Sequence, residues 1–450
     1  MTTKIAVALT ILSCLALGQV STENLGITPE RIKLNSGHSG WKVQIPGNRP
    51  LATVAYADGK IFVGGGYGSY EFYCLDAKTG KVEWMYKTGD DGPTAAVVKK
   101  GYVVFNTESC IIYVLKARTG EKVWEKYLGD PLMSQPACDD DNVYMAYPGS
   151  DGCHHLACMR LADGNTVWDA KINGDLISAP IIEKGSVYIT CFDGTVYRYS
   201  SKEGKLLWSQ QKFATCAPTI FNDRVFVSLR QAVKVANDSI KQYEGLASLT
   251  NARGDQEQSD LWAKREAPYL VYGRATANAK AQAELDASVG FSTAPGSAKI
   301  GQAQDNVGQA TVAGCWAFQG SRPVIAGQYS YNAMGDEIQA VDVATGKKLW
   351  SNTYRLNNEE GIGGRFFSPP ALANHRLFLG SGSGEVYCLD ASNGKTVWKE
   401  KVDSPVSFQP VIANGMVFIS GDNGTLYGIE TSDHQDDGWY MWGGNAEHNK

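Results

Sequence analysis

The feature that most constrains this chain is a tryptophan that returns at near-constant intervals, each time closing the same short phrase. Trp84, Trp124, Trp168 and Trp208 stand 40, 44 and 40 residues apart; Trp350, Trp398 and Trp439 resume at 48 and 41, and Trp41 precedes Trp84 by 43. Ahead of them run Leu75-Asp76-Ala77-Lys78-Thr79-Gly80, Val341-Asp342-Val343-Ala344-Thr345-Gly346 and Leu389-Asp390-Ala391-Ser392-Asn393-Gly394. A period near forty with strand-like content is the mark of a repeat architecture.

One unit shows what is repeated. Ile177 to Ile182, Ser186 to Thr190 and Thr195 to Tyr199 read as three short strands, and Lys205-Leu206-Leu207-Trp208 opens a fourth. The turns Glu183-Lys184-Gly185 and Phe192-Asp193-Gly194 separate the first three, as hairpins require. Glycine supplies the positive φ at such turns, and Asp76, Asp342 and Asp390 suit turn starts because their carboxylates reach nearby amides. Four antiparallel strands per unit, with no helix between units, predict a β-propeller. The ladder tryptophan then packs from the outer strand against the neighbouring blade.

Units begin near Leu51, Pro93, Leu132, Leu176, Ala214, Ser321, Phe367 and Val406, which predicts eight blades over 41–450. The fifth is split by an insertion over 232–312, rich in Ala, Gln, Asn and Ser. There Val233, Ala236, Ile240, Tyr243 and Ala247 fall at helical spacing, as do Ala263 and Ala267 beside Trp262, and Ala279 to Ala287 suits a helix. The expectation is a partly helical decoration, with Trp316 on the fifth blade's outer strand. Either Trp41-Lys42-Val43-Gln44-Ile45 or Gly438-Trp439-Tyr440-Met441-Trp442 closes the ring.

With 450 residues and 49 glycines, one large all-β domain uses nearly the whole chain. A formal charge of −5 gives no basic face for nucleic acid. Lys4, the apolar run Ile5 to Leu17 and the small-residue pattern Ala16-Leu17-Gly18 predict a signal peptide over 1–18, followed by an N-terminal segment over 19–40. The expected location is periplasmic or extracellular. Ile11-Leu12-Ser13-Cys14 also resembles a lipobox, so Cys14 is a candidate membrane anchor. No later stretch is long and apolar enough for a membrane span. Of ten cysteines, Cys74, Cys158 and Cys388 share one small third-strand position. Cys153-His154-His155 with Cys158 matches neither zinc nor haem spacing, and no metal site is assigned.

If a ligand is bound, the central channel is its place. Two residues before the first-strand proline, or its equivalent, stand Ala52, Thr94, Ser134, Ser178, Cys216, Ser321, Ser368 and Phe408. The next position adds Gln135, Arg322 and Gln409. Strand residues alternate faces, so only one of these two rings points inward. Arg322 is the single charge in either ring and the candidate for an anion.

The phrase Tyr387-Cys388-Leu389-Asp390-Ala391, closed by Gly394 and Trp398, resembles the PQQ-type β-propeller repeat. That repeat is found in quinoprotein alcohol dehydrogenases and in BamB-like barrel-assembly lipoproteins of bacterial outer membranes. The resemblance covers the chain from Trp41 to Trp439 outside the insertion. Trp439-Tyr440-Met441-Trp442-Gly443-Gly444-Asn445 is similar to a phrase that such proteins carry before their first blade. For the dehydrogenases the family implies PQQ over Ca²⁺ in the channel, a disulfide between adjacent cysteines, a stacking indole and a catalytic Asp. This chain has no adjacent cysteine pair, and the ladder leaves only Trp262 and Trp442 for other work. The resemblance therefore implies a non-catalytic monomer without cofactor, binding envelope proteins as a scaffold, with a small channel ligand as a further possibility. A PQQ- and calcium-dependent alcohol or sugar dehydrogenase is the alternative.

Overall fold

A computed structural model describes residues 19–21, 25–129, 134–174, 178–191, 193–234, 240–257, 262–266, 319–320, 322–334, 337–354 and 367–450. Its strands form eight separate antiparallel sheets, one for each predicted unit. Blade 1 runs through Ala55–Ala57, Lys60–Gly64, Glu71–Asp76 and Val82–Lys87 from the channel outward, and Gln19–Ser21 adds a fifth strand at its rim. Each first strand starts at one end of the channel and turns back at the other. The first and third turns of every blade thus share one end, and the second turns share the opposite end with the loops between blades.

The N-terminal part of the chain closes the ring. Ser39–Gln44 pairs with Thr425–Glu430 to form the outer strand of blade 8, and Glu30–Lys33 lies outside it. Trp41, wholly buried on this strand, thereby takes its ladder place. The segment carrying Trp439 contributes only an isolated bridge to Ile412.

The ladder holds neighbouring blades by a repeated contact. The Trp84 indole N–H donates to the Ala117 carbonyl at 3.2 Å, Trp124 to Leu161 at 2.8 Å, Trp168 to Ser201 at 2.7 Å and Trp208 to Asn251 at 2.7 Å. The phrase's glycine meets this ring. Gly120 has φ of 72°, and a Cβ there would sit 2.8 Å from the Trp84 ring, so only glycine satisfies both the turn and the contact. The phrase's aspartate works as expected: Asp342 Oδ1 accepts from the Thr345 and Ala344 amides at 2.8 and 3.0 Å. A register shift recurs between the third and fourth strands, as between Cys74 and Leu75 or Cys388 and Leu389, and turns the tryptophan toward the next blade.

The fifth blade corrects one expectation. No helix occurs among the described residues. Arg224–Lys234 and Ile240–Thr250 are strands paired in unbroken register from Arg224–Thr250 to Lys234–Ile240. The 3.6-residue spacing of Val233, Ile240, Tyr243 and Ala247 was coincidental. Val225, Val227, Ala247 and Leu249 face one neighbouring core, while Phe226 and Leu246 face the other, which is the two-residue period of a buried strand. Trp262–Glu266 is the fourth strand, and Trp262 fills the ladder place expected of Trp316, its ring lying where a Cβ of Gly346 would be. Trp316, Ala236 and the stretch from Ala267 through Ala287 lie outside the described residues.

Candidate functional site

The two rings at the start of the first strands do different work. Ser178, Ser368 and Thr94 turn back into their own blades: Ser178 Oγ accepts from the Thr190 amide at 3.1 Å, Ser368 Oγ from the Gly380 amide at 2.9 Å, and Thr94 Oγ1 donates to Asn106 Oδ1 at 2.5 Å. Ser134 Oγ reaches the Ser178 carbonyl of the next blade at 3.2 Å. Cys216 is wholly buried, and burial pushes its thiol up to about 11, so it is a protonated core group. Ser321 lies outside the described residues.

The second ring faces inward. Gln409 Nε2 donates to the Pro370 carbonyl of blade 7 at 2.7 Å, and Thr53 Oγ1 to the Gln409 carbonyl at 3.0 Å. Arg322 Nε donates to the Pro218 carbonyl of blade 5 at 3.1 Å, and its Nη2 to the His448 carbonyl at 2.5 Å. Its guanidinium also lies 5.5 Å from the Trp442 ring centre. Burial holds Arg322 down at about 10, so it stays charged at neutral pH. Both atoms of the Gln135 amide are enclosed without a partner among the described residues. Thr53, Arg322 and Gln409 thus spend donors on neighbouring blades and on residues 436–450.

Both ends of the channel are occupied by segments that the repeat did not announce. Gln319, which precedes blade 6 in sequence, sits across the ring: its Nε2 donates to Thr53 Oγ1 at 2.7 Å and its Oε1 accepts from the Gln409 amide at 2.8 Å. At the end carrying the first turns, residues 436–450 fill the opening. Trp439 and Trp442 are each 1% exposed, and His448 sits between the Trp442 and Pro136 carbonyls at 2.7 and 2.9 Å. Burial and the nearby Arg322 hold His448 down at about 4, so the ring is neutral. The available signal was a second indole, Trp442, and a Gly-Gly pair directly after the last beat of the rhythm at Trp439.

Other candidates do not converge. Cys158 is wholly buried on its third strand, while His155 binds Asp169 Oδ1 at 2.5 Å and Asp151 Oδ1 at 3.1 Å on the blade's edge. Among the described residues no group of three or more His, Cys, Asp or Glu side chains is placed to hold a metal. Calcium beneath a quinone is held by carboxylate, amide and carbonyl oxygens, whereas the inward ring carries no carboxylate and one buried, charged arginine, Arg322. The inward ring, with Arg322 as its one charge, does not fit Ca²⁺ beneath PQQ.

Eight four-stranded blades with an indole ladder and an N-terminal closing strand define a PQQ-like propeller. The chain belongs to the family described as outer membrane protein assembly factor BamB, whose model matches residues 30–152, 108–314 and 334–442. It is 26% identical over 334 residues to outer membrane protein assembly factor BamB of Burkholderia pseudomallei, a match covering 70% of this chain and 78% of that one. Its fold resembles the crystal structure of BamB from Moraxella catarrhalis, with a TM-score of 0.55, 13% identity and 90% and 100% of the two chains covered. It also resembles quinohemoprotein alcohol dehydrogenase from Comamonas testosteroni, with a TM-score of 0.56, 11% identity and 87% and 76% covered. At such identities the structural likenesses show the propeller alone.

Proposed function

We propose that this chain is an exported, non-catalytic scaffold that holds partner proteins in the bacterial cell envelope during outer-membrane assembly. The observation that carries this reading is the family match running along almost the whole propeller. The inward ring supports it: Arg322, Gln409 and Thr53 bind other parts of the chain, where an enzyme would present them to a substrate. The signal-like segment at 1–18 supports a periplasmic location, with Cys14 as the anchor if it is lipidated. Among the described residues no helix is long and apolar enough to cross a membrane.

The test uses the full chain as bait on detergent-solubilised outer membranes, with mass spectrometry of what is retained. Enrichment of outer-membrane assembly components is the expected result. Absence of any such component, together with alcohol oxidation after incubation with PQQ and Ca²⁺, would overturn the reading in favour of a dehydrogenase.

A further inference from the structure

The eight sheets are complete without residues 436–450: every blade has its four strands, and the ring is closed by Ser39–Gln44. The segment touches this framework as a ligand touches a receptor. In a propeller the innermost strands have no partner on the channel side, so their edge amides are free to pair. Here they donate to one short peptide from four blades. Ile412 N binds Trp439 O at 2.8 Å, Tyr56 N binds Tyr440 O at 2.6 Å, Cys138 N binds Ala446 O at 2.8 Å and Ile182 N binds Glu447 O at 3.0 Å.

Side chains supply the specificity. Trp439 enters the apolar core around Ala373, Phe378 and Ile412, and Trp442 enters a separate core around Ala179, Ala217 and Val227. Gly443 donates its amide to Gln409 Oε1 at 2.9 Å. It has φ of 70°, and a Cβ there would lie 2.8 Å from His448 Cα and 3.0 Å from Arg322 Nη1. Asp436, wholly buried, pairs with Arg376 at 2.9 Å and accepts from Asn374 at 3.0 Å. Main-chain pairing for affinity with pockets for selected side chains is how edge strands recognise extended peptides.

The geometry points to a peptide-recognition site at the first-turn end of the channel. Its ligand is a peptide bearing two indoles three residues apart followed by Gly-Gly, and this chain supplies that ligand to itself. The segment is a docked ligand, separable from the propeller that holds it, and the same peptide binds when supplied from outside. This site lies beyond the scaffold reading and stands or falls without it.

Ser432, His434 and Gln435 are exposed just ahead of the segment, so a protease site placed between His434 and Gln435 of the full chain separates ligand from receptor after folding. The cut protein is then incubated with a fluorescein-labelled synthetic peptide of residues 436–450 and followed by size exclusion and fluorescence polarisation. The expected result has three parts: the cut fragment co-elutes, labelled peptide replaces it, and uncut protein takes up none. A peptide carrying Trp439→Ala and Trp442→Ala binds weaker by about a hundredfold. Four outcomes would overturn the inference. They are unfolding on cleavage, loss of the fragment without uptake of peptide while the β-sheet circular dichroism persists, retention without exchange, and equal binding of the double-alanine peptide.

Discussion

The seam between blades 1 and 2 and the seam between blades 7 and 8 solve the same packing problem with different chemistry. At the first, Trp84 is 2% exposed, its indole donates to the Ala117 carbonyl and its ring lies on Gly120, so the turn phrase of blade 2 provides everything the ring needs. At the second that phrase is missing, because the outer strand of blade 8 comes from the other end of the chain. Among the described residues Trp398 has no acceptor for its N–H, and it is only half-buried. The hairpin that delivers the closing strand covers it instead: His38 packs 4.9 Å from the Trp398 ring centre and binds Glu400 Oε1 at 2.8 Å. The Glu400 side chain is wholly buried, and it also accepts from Ser36. The repeat closes its seams with neutral groups, whereas the closing seam uses a buried carboxylate.

That contrast predicts unequal costs, largest first. Trp84→Ala removes a fully enclosed indole and its hydrogen bond, and should lower stability by about 3–5 kcal/mol in urea titration. Trp398→Ala, starting from a half-buried ring without that bond, should cost about half as much. Equal costs would mean that the two seams are energetically alike despite their chemistry. Next comes Glu400→Ala, which leaves His38 and Ser36 facing an empty acceptor position and should cost about 2 kcal/mol. Adding His38→Phe should recover part of that loss, and a strictly additive pair would show that the carboxylate and the imidazole are not coupled.

How much of this the sequence disclosed follows from the same distinction. Features specified within one unit were readable: the blade count, the Asp and Gly of the turns, and the small buried Cys74 and Cys388. Features that depend on residues hundreds of positions apart were not. Nothing near Glu400 announces that His38 will bury it, and nothing in Arg322 announces the His448 carbonyl, so its charge suggested an anion. Blade 5 was misread because a strand buried on both sides has no polar face, so helical spacing can be found along it by chance. Trp262 was set aside because the rhythm had already been broken at that point.

Gly120→Ala tests the ordinary seam from its other side. The new methyl must displace the Trp84 ring, and an alanine must hold φ of 72°. A loss of about 2 kcal/mol is expected from strain and overpacking together. Gly101, also at positive φ but with nothing within 4 Å of its Cβ position, provides the control. Gly101→Ala pays only the backbone term, about 1 kcal/mol. If the two substitutions cost the same, the glycine serves the turn and the indole contact adds nothing.

One more effect concerns the closing blade and has a pH signature. Asp422, in the second turn of blade 8, accepts from Ser407 at 2.6 Å through Oδ2, while its Oδ1 is enclosed without a partner among the described residues. Burial outweighs the Ser407 bonds and raises its carboxyl from 3.8 to about 6. The folded state therefore resists ionisation that the unfolded chain permits. No cost arises below the unfolded value; the cost grows as pH rises toward the folded value and is complete above it. Asp422→Asn removes the charge and keeps an oxygen for Ser407. It should stabilise the protein by about 1–2 kcal/mol at pH 7–8, allowing for the partly exposed turn, and the gain should vanish near pH 4. His448 runs the other way. Its depressed value makes the wild-type fold lose stability as pH falls from about 6.5 through about 4, because the unfolded chain takes up a proton that the buried ring refuses. Urea midpoints of Asp422→Asn and wild type measured in parallel at pH 4, 5, 6 and 7.5 cancel the His448 contribution common to both. A difference that stayed constant across this range would show that Asp422 is not strained by its charge, and that blade 8 differs from the repeat only at its outer strand.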